Sequence, residues 1–165
     1  MLKPVAKKKT RATGHGFAIV ASQYNSRYVD AMLRAARSEL RKAGAKSVQV
    51  IRVPGAYEIP VVAAQLARQS GCGGPVSAII CLGVILRGET THAAHIGEAV
   101  SQALMQIQLE HGVPVVHEVL LLESESQARA RCLDRRHNRG TEAAQTALAM
   151  ARVMEELGPV DEVPF

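Results

Sequence analysis

The chain has 165 residues, 47% of them apolar, and a formal charge of +5, a size that suits one domain with a sizeable core. No apolar run approaches the ~18 residues of a membrane span, and no signal-peptide pattern is present. Cys72, Cys81 and Cys132 lack Cys-x-x-Cys spacing, which predicts a reducing, cytoplasmic setting with neither a disulfide framework nor a zinc site.

Residues 1–14 read as an irregular basic tail, with Pro4, a lysine run at 7–9 and Gly14. Residues 17–20 form a short apolar strand, followed by polar Ser22, Gln23, Tyr24 and Asn25. From Ser26 to Ala43, Val29, Leu33, Ala36 and Leu40 recur at helical spacing, and Gly44 stops the helix. Residues 48–53 alternate and are β-branched, which predicts a strand broken by Pro54-Gly55. Pro60 fits the first turn of a helix running to about Arg68, and residues 71–75 form a turn.

Residues 76–82 are a continuous apolar run closed by Gly83, the pattern of a central strand buried on both faces, with Cys81 as plain core. The next helix runs from about Thr91 to Glu110, with Ile96, Val100, Ala103, Leu104 and Ile107 as its buried stripe and Gly112 as its end. Residues 115–121 form a fourth strand. Ser124 and Gln127 have capping-box spacing for a short helix to about Arg131. Asn138-Arg139-Gly140 reads as a turn before an Ala-rich helix over 141–157, closed by Gly158-Pro159.

Strands alternating with helices imply right-handed crossovers and a parallel sheet covered on both faces. The expected fold is a flavodoxin-like three-layer α/β/α sandwich with a four-stranded parallel sheet. It occupies one domain over 15–158, between a basic tail at 1–14 and a C-terminal tail at 159–165. The basic clusters include Arg129, Arg131, Arg135, Arg136 and Arg139. With Tyr24, Tyr28, Tyr57, Phe17 and Phe165 as the only aromatics, no series of stacking platforms exists, so nucleic acid is not the expected partner.

A parallel sheet gathers the carboxyl ends of its strands along one edge, where open α/β folds bind ligands. That edge collects Gln23-Tyr24-Asn25, Gly55-Ala56-Tyr57-Glu58 and Arg87-Gly88-Glu89-Thr90-Thr91-His92. The helix start after Gly88 offers free N–H groups to an anion. His92 there would hold an imidazole that moves protons near neutral pH. Tyr24 and Tyr57 beside a glycine turn and a carboxylate suit a planar ligand with hydroxyls, or they plug the sheet edge. Arg131 and Arg139 flank a turn and suit phosphate, or they form a solvated face. No Walker-type or G-x-G-x-x-G loop exists, and His92 with His95 lacks a third metal ligand.

Three motifs together resemble the 6,7-dimethyl-8-ribityllumazine synthase family: VPGAYEIP at 53–60, LGVILRGETTH at 82–92, and ESQARAR at 125–131 followed by HNRG at 137–140. The match runs from about Gly16 to Leu157. It implies condensation of 5-amino-6-(D-ribitylamino)uracil with 3,4-dihydroxy-2-butanone 4-phosphate, without metal or redox cofactor. By resemblance, Tyr24 stacks on the pyrimidinedione and Ala56, Tyr57 and Glu58 hold the ribityl chain and ring. Val84, Ile85 and Leu86 read the ring edge through their backbone. Glu89 and Thr90 mark the anion-binding helix start, His92 transfers protons, Arg131 binds phosphate, and Arg139 is a second phosphate contact. The family's site spans two subunits of a pentameric ring, with His117, Arg131 and Arg139 supplied by the neighbour. The N-terminal segment either extends an adjacent subunit's sheet or stays mobile.

The chain departs from the family pattern at four places. His117 replaces a phenylalanine that covers the ring, which predicts ligand affinity that varies with pH between about 5 and 8. Ala93-Ala94 replaces an aromatic and an aspartate after His92. Leu121-Leu122 replaces residues that are commonly threonines, and Arg139 replaces lysine. The competing expectations are a ribityl-pyrimidine or flavin-binding, shell-forming homologue with reduced activity, and an unrelated flavodoxin-like module for a phosphoryl group.

Overall fold

The computed structural model describes residues 11–70 and 74–158. The lysine run, most of the turn predicted at 71–75 and the C-terminal tail lie outside the described residues. Four strands, β1 (Gly16–Ser22), β2 (Ser47–Val53), β3 (Ala78–Leu86) and β4 (Val115–Leu122), form one sheet. Its order is β2-β1-β3-β4 and every pairing is parallel. The helices are α1 (Ser26–Lys42), α2 (Ile59–Ser70), α3 (His92–His111), the short α4 (Glu125–Ala128) and α5 (Arg139–Leu157).

Alternation along β1 sorts the core into two layers, because successive side chains point to opposite faces. Phe17, Ile19 and Ala21 pack with Met32, Ala36 and Leu40 of α1 and with Ala144, Ala147 and Ala151 of α5. Ala18 and Val20 pack with Ile59, Ala63 and Ala67 of α2 and with Val100 and Leu104 of α3. The result is the flavodoxin-like three-layer sandwich that the strand-helix alternation predicts. β1 and β3 are buried on both faces, which is why their sequences read as unbroken apolar runs.

Four local expectations change. Gly83 does not end the central strand; β3 continues to Leu86. A Cβ on Gly83 would lie 3.1 Å from Val119 Cγ1 and 3.4 Å from Ile59 Cδ1, so the glycine admits a close neighbour within the sheet instead of breaking it. A 3-10 turn at Ala56–Glu58, unmarked in the sequence, precedes α2, while Pro60 keeps its expected place in the first turn of that helix. Helix α4 passes directly into a π-helical turn over Arg129–Leu133. Its capping is shifted too: Ser124 Oγ accepts from Gln127 N at 3.3 Å, while Gln127 Oε1 accepts from Glu123 N, one residue early, at 2.9 Å.

The fourth change concerns Asn138-Arg139-Gly140, which is no free turn. Asn138 is the N-cap of α5, its Oδ1 accepting from Gly140 N at 2.9 Å, so Arg139 stands in the first turn of a helix. At the other end of the described chain, Ala12 is fully buried and donates its N–H to Ala43 O at 2.8 Å. The packed body therefore reaches back to Ala12.

The Ala-rich face of α5 lets it lie close to α1, and Gly140 is the tightest point. A Cβ there would fall on the Met32 backbone carbonyl. Gly140→Ala should therefore cost about 1–3 kcal/mol through forced separation of the two helices. Denaturant melts would read this as a lower midpoint with an unchanged slope. A midpoint equal to that of the parent would show that α1 yields freely here.

Candidate active site at the carboxyl edge of the sheet

Hydrogen bonds stitch the loops after β1 and β2 and the last residues of β3 into one rim. Gln23 N donates to Val53 O and Pro54 O at 2.8 and 3.1 Å, and Tyr24 N donates to Pro54 O at 3.0 Å. Asn25 adopts the left-handed conformation with φ 56°, which asparagine tolerates better than most residues. That turn aims its Nδ2 at Val84 O, 2.8 Å away. Arg52 braces the same corner, donating to Asp30 Oδ1 at 2.5 Å and to Ser22 O at 3.0 Å. The sequence marked Asn25 only as a loop-tolerant residue. Its side-chain span between the β1 loop and β3 needs two segments 59 positions apart to meet.

Tyr24, Gly55 and Glu58 converge at one point. A Cβ added to Gly55 would lie 3.1 Å from Tyr24 Cδ2 and 2.9 Å from Glu58 Oε2. Glu58 Oε2 accepts from Gly55 N at 2.8 Å, which fixes the carboxylate over the turn. The rings of Tyr24 and Tyr57 are 71% and 64% exposed, so neither plugs the sheet edge within this chain. Ala56 packs in the same apolar cluster as Ala93. The 3-10 turn packs against α3, in whose first turn His92 is exposed.

The strand carrying Val84, Ile85 and Leu86 ends between these two groups. Arg87 leaves it paired with Glu123 at 3.0 and 3.2 Å. Glu89 and Thr90 are exposed, and Thr90 Oγ1 accepts from His92 N at 3.4 Å. The α3 N-cap, Thr91, makes no side-chain capping bond. With His92 N on Thr90 and with Ala94 N and His95 N turned back to Thr91 O at 3.0 and 3.2 Å, the Ala93 N–H and the positive end of the helix dipole are what this helix start offers an anion.

His117, Arg131 and Arg139 lie elsewhere on the chain. His117 is exposed on β4 opposite Cys81, five residues below Leu86, or about 16 Å at the rise of a strand. Ser101 Oγ donates to Gly97 O at 2.7 Å and sits 2.9 Å from His117 Nε2. The single hydroxyl hydrogen is already given to Gly97, so Nε2 must be the donor in that contact. Arg131 is exposed in the π-helical turn, on the α1 and α5 side of the sheet, with no ion-pair partner among the described residues. Arg139 is half-buried and paired: Nε and Nη2 reach Glu118 at 2.7 and 3.4 Å, and Nη1 reaches Glu142 at 2.6 Å.

The Glu118 side chain is only 5% exposed. Burial raises its carboxyl above the usual range, while the hydrogen bond and charge of Arg139 pull it back. A carboxyl raised in the fold contributes stability that is full below its unfolded value and is lost as pH rises through its folded value. At neutral pH Arg139 is what makes the buried carboxylate tolerable. Beside it, burial and Glu118 push the Cys132 thiol up to about 11. Among the described residues, no three His, Cys, Asp or Glu side chains gather as metal ligands.

Comparison with known proteins joins this geometry to a family. The family model described as 6,7-dimethyl-8-ribityllumazine synthase matches residues 14–155. A protein of that name from Xanthomonas campestris pv. campestris (strain B100) is 40% identical over 149 residues, covering 89% of this chain and 94% of that protein. One from Xanthomonas oryzae pv. oryzae (strain PXO99A) is 43% identical over 143 residues, 86% of this chain and 90% of its own. One from Stenotrophomonas maltophilia (strain R551-3) is 41% identical over the same length, with the same coverage. A match that takes in every strand, both tyrosine-bearing loops and the π-helical turn leaves one conclusion: this chain belongs to the 6,7-dimethyl-8-ribityllumazine synthase family.

Proposed function

We propose that this chain condenses 5-amino-6-(D-ribitylamino)uracil with 3,4-dihydroxy-2-butanone 4-phosphate to 6,7-dimethyl-8-ribityllumazine, releasing phosphate and water, a transferase step of riboflavin biosynthesis. Family membership over residues 14–155 carries this reading. The amine adds to the ketone and water leaves as an imine forms. Phosphate is then eliminated, the enol left behind tautomerises to a new ketone, the ribityl-bearing amine closes the ring on that carbonyl, and a second water leaves. The protein's work is orientation, proton transfer and anion binding.

The residue roles form part of the proposal. Tyr24 stacks on the pyrimidinedione, and Ala56, Tyr57 and Glu58 hold the ring and ribityl chain. Val84, Ile85 and Leu86 present backbone groups to the ring edge. The meeting of the Tyr24 ring and the Glu58 carboxylate over Gly55 supports that division. Glu89 and Thr90, at the uncapped start of α3, receive the phosphate with Arg131, while Arg139 stands near Arg131 with its charge shared between two carboxylates. The exposed His92 imidazole moves protons.

The same proposal makes the working unit a homo-oligomer, a pentameric ring, in a cytoplasmic setting. His117, five residues below the end of β4, and Arg131, on the α1 and α5 face, support their supply by a neighbouring copy. Apolar side chains left exposed on α2 and α3, Val61, Met105 and Leu109, give copies a surface to share. Met105 and Leu109 line, with Ser101, a groove of about 540 Å³ along α3. Buried free thiols at Cys81 and Cys132 suit a reducing compartment.

Mixing the two substrates with the protein should yield a fluorescent lumazine. Absence of product from an assembled ring would overturn the assignment. Arg131→Ala should raise KM for the butanone phosphate by about tenfold to a hundredfold, the worth of a charge-assisted hydrogen bond. Its KM for the ribitylaminouracil should hold. His92→Ala should lower kcat by about a hundredfold, as loss of a general acid–base does, with both KM values near those of the parent. Nitrogen-15 NMR should find neutral His117 protonated at Nε2, and Ser101→Ala should mix the tautomers. A parent spectrum protonated at Nδ1 would refute the Ser101 contact.

A further inference from the structure

Arg131 and Arg139 carry the same charge at the same end of the fold, and they differ in what surrounds them. Arg131 is exposed and has no ion-pair partner among the described residues. The Arg139 guanidinium is gripped along one edge by both oxygens of Glu118 and at Nη1 by Glu142. Three of its five N–H donors are thereby committed, and the Glu142 carboxylate stands beside them, so an anion gains less from Arg139 than from Arg131.

A short chain of contacts runs from that cluster to Arg131. Glu118 belongs to β4, so its grip fastens the first turn of α5 to the sheet. The residue before Arg139, Asn138, is buried and holds the same first turn through Gly140 N. Its Nδ2 donates to the carbonyl of Cys132. Cys132 is fully buried, and the residue before it is Arg131. The π-helical turn that carries Arg131 is an uncommon conformation. It packs on α1 and continues from α4, and Asn138 ties it in addition to the helix that Glu118 anchors.

We propose that Arg139 is a positioning residue: with Glu118 it locks the start of α5 to β4, and through Asn138 it helps fix Arg131, the one of the two arginines that binds the substrate phosphate. The inference rests on the reading of Arg131 as the phosphate ligand. Glu118 and Glu142 thereby join the functional residues, though neither touches substrate.

The sign of one substitution tests it. Glu118→Gln releases the guanidinium. As a strut is loosened, KM for the butanone phosphate and the inhibition constant for inorganic phosphate should both rise by about tenfold, the scale of a small misplacement. KM for the ribitylaminouracil should stay within roughly twofold. The double variant E118Q/R139A should be no worse than the weaker single variant, since both act through one contact. A direct phosphate ligand predicts the reverse, because freeing Arg139 from its carboxylates would tighten phosphate. Tighter phosphate binding in E118Q, or additive losses in the double variant, overturns the proposal. Should E118Q fail to fold in a thermal melt, Glu142→Gln, at a half-exposed position, decides the sign: unchanged or weaker phosphate binding supports the strut, and tighter binding refutes it. R131A separates the two layers. If R131A handles phosphate like the parent, the assignment of Arg131 itself has failed. If R131A is impaired and E118Q tightens phosphate, only the strut has failed.

Discussion

The pairing of two doubly buried strands, β1 and β3, is the constraint from which the rest of the molecule follows. Neither strand has a polar side to offer water, so helices must cover both faces of the sheet. Parallel pairing then sends every crossover back across a face and every carboxyl end to one rim. Backbone groups at that rim have no strand partners left, and they are satisfied by neighbouring loops. Tyr24 N on Pro54 O and Asn25 Nδ2 on Val84 O are such bonds. The burial demand that builds the core thus also builds a rigid edge, a good platform for holding two reactants in register.

Charge is distributed over that platform with a visible division of labour. Arg87, Arg52 and Arg139 are each held by carboxylates from other parts of the chain. Arg131 and the uncapped start of α3 are not. An arginine in an ion pair spends its fork on geometry, fixing one element against another. An arginine without a partner keeps its charge for a ligand. Glu118 shows the cost of the first use: burial raises its carboxyl, and the guanidinium beside it offsets that only in part. A buried pair of this kind stabilises little by itself but is expensive to break, which suits a part whose task is to stay in place.

The departures from the family pattern acquire physical content in this setting. His117 is not a loose substitute for an aromatic ring, because Ser101 holds its Nε2 and leaves Nδ1 as the free polar edge. Arg139 grips both oxygens of Glu118 and also reaches Glu142. A single ammonium lacks the planar fork that makes this geometry rigid. Ala94 is exposed beside His92, so that position offers the imidazole no carboxylate to orient it.

The sequence by itself determined the order of elements, the parallel sheet, the family and the rim on which Tyr24, Glu58 and His92 stand. Each of these is written in local signals: apolar periodicity, glycine and proline punctuation, and motifs confined to a few adjacent residues. Tertiary structure alone decided that β3 runs through Gly83, because Val119 and Ile59 close on it from other elements. It alone turned Asn138-Arg139-Gly140 from a turn into a capped helix start pressed against Met32. It alone paired Arg139 with Glu118, 21 residues away, and set Asn25 against Val84. A hydrogen bond between distant positions leaves no periodicity in the chain that forms it. Spacing shows which residues can face a site, and the partners each one meets decide whether it binds a ligand or braces a neighbour.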